Sequence, residues 1–201
     1  MKNIPNTTRK HIENREKYYE QRFGPMLDLV AHSTDKQPVH VDIYAVKPNP
    51  ECAYWTLVTS GMSDLPMTIP ASVKGIAVPR IELIMYANSP KPWMFKVLKA
   101  LAEFPSRQKT YLYWFHTWTP NGLLTETAPQ LTSCLLLPPH LDDNSQNELR
   151  IDGDRVEFLW VLPITERECS YAVQNGSGTL EKALMTSGLD LFDYEGRNSV
   201  V

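Results

Sequence analysis

The sequence has no CxxC pair and only three cysteines, Cys52, Cys134 and Cys169, which are far apart and odd in number. That pattern excludes a disulfide framework and a zinc knuckle, and it fits a reducing cytoplasm. There is no run of Lys and Arg. With a formal net charge of -3 and both signs mixed along the chain, nothing forecasts a surface that tracks nucleic-acid phosphates. The opening "MKNIPNTTRKHIENREKYYE" is polar and has no apolar stretch of signal-peptide length. No later segment reaches membrane-spanning length. Internal repeats and low-complexity segments are absent. So are a Walker loop and an HExxH pair. "SGMSD" does not complete G-x-S-x-G, because Leu65 stands where the strained elbow needs its second glycine. "GSGTLE" lacks the third glycine of G-x-G-x-x-G and follows a helix rather than a strand.

What remains is an ordinary globular composition. The chain has 201 residues, 42% hydrophobic and 21% charged. That is enough for one domain with a sizeable core. Thr7 or Thr8 can cap a first helix, with Ile12, Tyr19 and Phe23 on one face and Gly24-Pro25 as its stop. "HSTDKQP" reads as loop. "VHVDIYAV" alternates Val39, Val41, Ile43 and Ala45 with His40, Asp42, Tyr44 and Val46, so it predicts a half-buried strand. "AYWTLVTS" and "RIELIMYA" read as strands and residues 66–80 as loop. "SPKPWMFKVLKALAEFPS" predicts a helix, with Trp93, Val97, Leu101 and Phe104 at helical spacing and prolines at both ends. Its lysines read as a solvated face.

Further on, "TYLYWFHTWTPNG" predicts an aromatic, β-rich run ended by a Pro-Asn-Gly turn. "CLLLPP" and "RVEFLWVLPI" read as buried strands, with a polar excursion and an Asp-Gly turn between them. Thr165 and Glu168 have capping-box spacing for a helix ending at Asn175-Gly176. A last helix follows, up to Gly188, and then an extended, partly tucked tail. Helix, strands, helix, strands and two helices is not βαβ alternation. The expected class is α+β, a single domain with a mainly antiparallel mixed sheet and flanking helices.

Two groups of residues could carry function. His40, Asp42, Asp64, Glu82 and His116 lie on or near predicted strands and have the side chains of an N/O metal site. The plainer use of such residues is to bond loop backbone. Tyr111, Tyr113, Trp114, Phe115 and Trp118 could stack bases or line a peptide groove, and the plainer use is core.

Read together, "HVDIYAV", "YWTLVTSGMSDLPM", "RIELIMY", "PWMFKVLKALAEFP", "TYLYWFHTWTPNG", "CLLLPP", "VEFLWVLPITERECSYAVQNG" and the closing "EGRN" resemble the suppressor of fused-like domain family, over roughly Val39 to Asn198. Residues 1–38 are then an N-terminal helix and loop packed on a domain of residues 39–198. The resemblance implies a cytoplasmic binding protein. The animal protein that names the family clamps a short peptide as an added strand, between this domain and a second one. This chain leaves no room for that second domain. In "WFHT", Phe115 stands where the eukaryotic pattern has an acidic residue before the histidine. Compact members resemble bacterial ones, several of which have been proposed from genomic context as toxin-neutralising immunity proteins.

The expectation is therefore a non-enzymatic protein binder with no cofactor, no nucleic acid and no membrane partner. Asp64, His40, Asp42, Glu82, His116, Trp114 and Trp118 are its candidate binding residues. Loops 66–80 and 119–132 are where partner specificity is expected. The alternative is a metal-dependent enzyme built on the His/Asp/Glu set. "TSGMSD" itself reads first as a strand-to-loop turn in which Asp64 accepts loop N–H groups, then as a recognition surface, and last as a catalytic centre.

Overall fold

A computed structural model describes residues 6–31, 40–50, 52–139 and 148–201. Val39, the 32–38 loop and most of the polar excursion, residues 140–147, lie outside the described residues. Helix α1 spans Asn6–Phe23, so Thr7 and Thr8 lie inside it rather than at its cap. Its Tyr19 and Phe23 are buried, as the spacing predicts. Gly24 turns the chain at φ 92° into strand β1, Met26–Ala31. This strand has no counterpart in the sequence reading. Strands β2 (Asp42–Val46), β3 (Trp55–Ser60) and β4 (Arg80–Ala87) follow.

Helix α2 is Pro92–Gln108. Proline at its first turn costs no hydrogen bond, because that N–H would be unpaired anyway. Pro105 was expected to end the helix, yet the helix runs through it to Lys109 in the left-handed conformation. Pro105 is buried against the core side and removes only one late ladder bond, so one further turn survives. Strand β5 is Thr117–Trp118 and β6 is Leu131–Leu137. Strand β7, Arg150–Ile151, forms a hairpin with β8, Asp154–Thr165. Its two-residue turn has φ 51° at Asp152 and 88° at Gly153, which suits the Asp-Gly pair. Helices α3 (Glu166–Asn175) and α4 (Ser177–Thr186) complete the chain.

The strands form one mixed sheet in the order β1-β2-β3-β4-β8-β6-β5, with β7 added to β8. All pairings are antiparallel except β4 with β8, which run parallel from Arg80↔Val156 to Ile84↔Trp160. Every residue of β4 is buried, as expected of a strand covered on both faces. Tyr44, Val58, Ile84 and Trp160 form one cross-strand row. Helix α1 covers that face: Tyr18 stacks on Phe158 at 5.7 Å and Tyr19 meets Tyr44 edge-on at 6.3 Å. Helix α2 packs against β2, β3 and β4.

The aromatic run departs from its expected form. Only Thr117 and Trp118 are strand. Residues before them bend back, with His116 N–H donating to the Tyr113 carbonyl at 3.2 Å and Phe115 at φ 67°. Aromatic β-propensity measures fit to a half-buried surface, and the turn half-buries Tyr111, Tyr113 and Trp114 without strand pairing while it leaves Phe115 exposed.

The C-terminal tail is locked by one ion pair. The Thr165–Glu168 capping box forms as the spacing predicts. Glu168 also takes Arg197 Nη1 at 2.7 Å and Nη2 at 2.8 Å, plus the Val200 N–H at 3.1 Å. Both side chains are fully buried. Burial alone would raise the Glu168 carboxyl. The Arg197 guanidinium and the N–H groups of Thr165 and Val200 outweigh it and hold the carboxyl below its ordinary value. Its contribution to stability is therefore complete above the unfolded carboxyl value of about 4.3 and is lost as pH falls through the depressed folded value. The stability difference between the parent and Glu168→Gln, measured by urea unfolding, is expected to shrink steadily from pH 6 to pH 3. A difference that stays constant over that range would contradict the assignment.

Candidate functional site: the buried turn after β3 and the aromatic turn before β5

The "TSGMSD" segment leaves β3 at Ser60 and makes a single 3-10 turn over Met62–Asp64. Gly61 has φ 120°, a conformation that L side chains rarely adopt. A Cβ built there would lie 2.0 Å from the His40 carbonyl oxygen. The anchor of this turn is Glu82 on β4, and its exposure is 0%. Its carboxylate accepts from Thr59 Oγ1 at 2.6 Å, Ser63 Oγ at 2.6 Å, and the N–H groups of Gly61 and Ser63 at 3.0 Å each. The Leu83 N–H donates to Thr59 Oγ1 at 2.8 Å, which leaves the threonine hydroxyl hydrogen free for Glu82.

Asp64 does a different job from the one expected. The loop N–H groups go to Glu82, and the Asp64 carboxylate instead receives the Arg15 guanidinium, with His11 Nδ1 at 3.4 Å. Arg15 also donates from Nε to Ser60 Oγ at 2.9 Å. Burial works against its charge, and Glu82 and Asp64 together raise its pKa above the ordinary arginine value. Burial pushes the Glu82 carboxyl up, and Arg15, Ser63 and Thr59 pull against that push. Arg80 donates to the carbonyls of Ser63 and Asp64 at 2.7 and 3.0 Å and reaches Asp154 at 3.0 Å and Asp152 at 3.3 Å. His11 closes the ring on Asp152 at 2.9 Å. The turn thus ties α1, β3, β4 and the β7–β8 hairpin together. Glu82, with no exposed surface, cannot meet a substrate without unfolding the turn.

Sequence reasoning named Asp64 and Glu82 but missed Arg15, His11, Arg80, Asp152 and Asp154. One signal existed. His11, Arg15 and Tyr19 recur every four residues, so two polar side chains share the buried stripe of α1. A polar group on such a stripe must find partners.

The other expected residues do not join this cluster as a metal site. His40 is more than half exposed and pairs with Asp42 at 3.0 Å. His116 lies beyond β6, at the opposite end of the sheet. Among the described residues, no group of three or more His, Cys, Asp or Glu side chains is placed to hold a metal ion.

A second locus forms around His116. Tyr113 stacks on Trp114 at 4.9 Å, and Tyr111 meets His116 edge-on at 5.0 Å. Trp118 meets Phe104 of α2 at 6.4 Å. Burial lowers the His116 pKa below its ordinary value, because the charged ring loses hydration there. Phe115 N–H donates to Leu136 O at 2.6 Å, and Leu136 N–H donates to His116 O at 2.9 Å. These bonds hold Phe115 in its left-handed conformation with 40% of its surface exposed. Strand β5, just after it, is an outer strand of the sheet.

A mixed sheet with a parallel centre, covered by helices and pinned by a buried carboxylate turn, defines a single-domain α+β protein whose polar cluster maintains the fold. The chain belongs to the suppressor of fused family: the model described as suppressor of fused protein matches residues 37–196. It is 25% identical over 185 residues to a Bacillus subtilis protein named immunity protein YqcF, covering 89% of this chain and 91% of the relative. A suppressor of fused homologue from Neisseria gonorrhoeae has the same fold, with a TM-score of 0.73 at 19% identity over 96% of this chain and 98% of the other. The structure of a Sufu–Fu complex gives a TM-score of 0.63 at 15% identity, over 98% of this chain and 93% of the other. Drosophila suppressor of fused gives 0.65 at 13% identity; 98% of this chain matches and 52% of that one. Among the described residues, no helix is long and apolar enough to cross a membrane.

Proposed function

We propose that this chain is a non-enzymatic, cytoplasmic protein-binding domain that neutralises a toxin. The observation that carries the reading is the near full-length similarity to a protein named as an immunity protein. The build of the domain supports it. The polar cluster around Glu82 is turned inward and satisfied. The aromatic turn holds Phe115 outward, next to an outer strand. An exposed aromatic in a costly backbone conformation is a mark of recognition surfaces. A partner segment added along β5 would meet Phe115, Trp114, His116 and Trp118 together, and strand addition is a recurrent binding mode. In this reading Asp64, Glu82, His40 and Asp42 shape the scaffold behind the surface.

Affinity purification of the tagged chain from its native host is expected to recover one protein in stoichiometric amount. That protein should arrest growth of a second bacterium and be relieved by co-expression of this chain. Phe115→Asp should weaken the complex without lowering the melting temperature. A chain that recovers no partner and turns over a substrate would overturn the proposal.

A further inference from the structure

Residues 65–115 contain seven basic side chains and two acidic ones, on a chain whose net charge is -3. Both acids, Glu82 and Glu103, are buried. Arg80 is buried as well and paired with Asp152 and Asp154, so the charges this segment shows to solvent are those of Lys74, Lys91, Lys96, Lys99, Lys109 and the Glu103-paired Arg107, all of them basic. Its apolar exposure is concentrated too, with Leu65 42% and Ile76 67% exposed. The loop is held against the last turn of α2. Thr68 N–H donates to Thr110 O at 3.3 Å, and Met67 N–H closes the loop base on Pro79 O at 2.7 Å. Leu65, Pro66 and Met67 face Ala102, Pro105 and Ser106 across a small pocket. Arg107, exposed and braced by Glu103 at 2.7 Å, stands on that turn. Lys109 follows at φ 49°, at the left-handed helix end where glycine is favoured. Lys74 is exposed on the loop between Leu65 and Ile76.

We propose that this loop and the last turn of α2 dock an acidic segment of a partner protein. Apolar side chains of that segment pack on the exposed Leu65 and Ile76, and its carboxylates meet Lys74, Arg107 and Lys109. The proposal rests on the reading that the chain binds a protein, and it adds the chemistry of that partner. An apolar centre with a charged rim is the usual anatomy of a protein interface. A rim of one sign steers the opposite charge and rejects like-charged competitors.

The test uses a defined probe: a twelve-residue peptide of glutamates with two leucines, and its glutamine-for-glutamate counterpart, each titrated into the isotopically labelled chain. Amide shifts are expected in residues 65–78 and 106–110 with the acidic peptide alone, and they should fade as salt rises. Lys74→Glu combined with Lys109→Glu should abolish them while the melting temperature stays that of the parent. No shifts, shifts elsewhere, or equal shifts with the glutamine peptide would overturn the proposal. So would duplex DNA or anionic vesicles acting on the same amides at lower concentration than the peptide. Because the probe is synthetic, this outcome is independent of whether a partner is recovered from the host.

Discussion

Glu82→Ala is expected to destabilise the protein by about 3–5 kcal/mol, the range for removing one member of a buried charge pair. At this chain length that is a fall of roughly 6–20 °C in melting temperature if unfolding is two-state. The cost has a specific origin. The substitution strands two backbone N–H groups, of Gly61 and Ser63, and two hydroxyls that now bond the carboxylate. It also removes the buried anion that supports Arg15, whose own exposure is 1%. Asp64→Ala is expected to cost less, about 1–3 kcal/mol. Asp64 keeps 20% of its side chain in solvent, and water can take over part of its role toward Arg15. Amide exchange at Gly61 and Ser63 should accelerate in the Glu82 variant and much less in the Asp64 variant. The opposite ranking, with Asp64→Ala the more damaging, would return the anchoring role to Asp64.

Gly61→Ala is expected to be comparably severe for a different reason. At φ 120° an L side chain is strained, and the new Cβ would meet a backbone oxygen rather than a side chain that can swing away. Backbone strain of about 1–3 kcal/mol and an overpacking cost of about 1–3 kcal/mol give a loss of about 2–6 kcal/mol. The measurement is soluble yield and melting temperature beside the parent. A variant that melts with the parent would show that the segment carrying His40 moves aside without cost.

The parts of the fold that could be read from sequence rest on local physics. Thr165 and Glu168 cap α3 because a hydroxyl and a carboxylate three residues apart reach free N–H groups wherever that helix packs. The stripe of Trp93, Val97 and Leu101 gives α2 for the same reason. Elements set by distant contacts were not readable. β1 is an outer strand whose pairing with β2 depends on register, not on alternation within "MLDLVA". The aromatic run became a turn because Leu136 bonds both Phe115 and His116, from a strand about twenty residues later. At the site, carboxylate and turn were visible but their pairing was not. Asp64 sits inside the turn and Glu82 lies eighteen residues beyond it. Only the β3–β4 pairing decides which of the two receives the loop N–H groups.

The parallel pairing of β4 with β8 has a consequence for how the chain is made. Strands β1 to β4 can pair in the order in which they leave the ribosome. The strand that must lie beside β4, Asp154–Thr165, emerges about seventy residues after β4 is complete. Throughout that interval the nascent chain carries an open edge on a strand whose every residue is buried in the finished fold. Such an edge is a template for pairing with other chains. Helix α2 is synthesised immediately after β4 and packs against it. It can shield a face of the strand but not the edge. Truncated products ending before residue 154 should therefore aggregate, and the full-length chain should depend on translation rate and chaperone supply more than its final stability suggests.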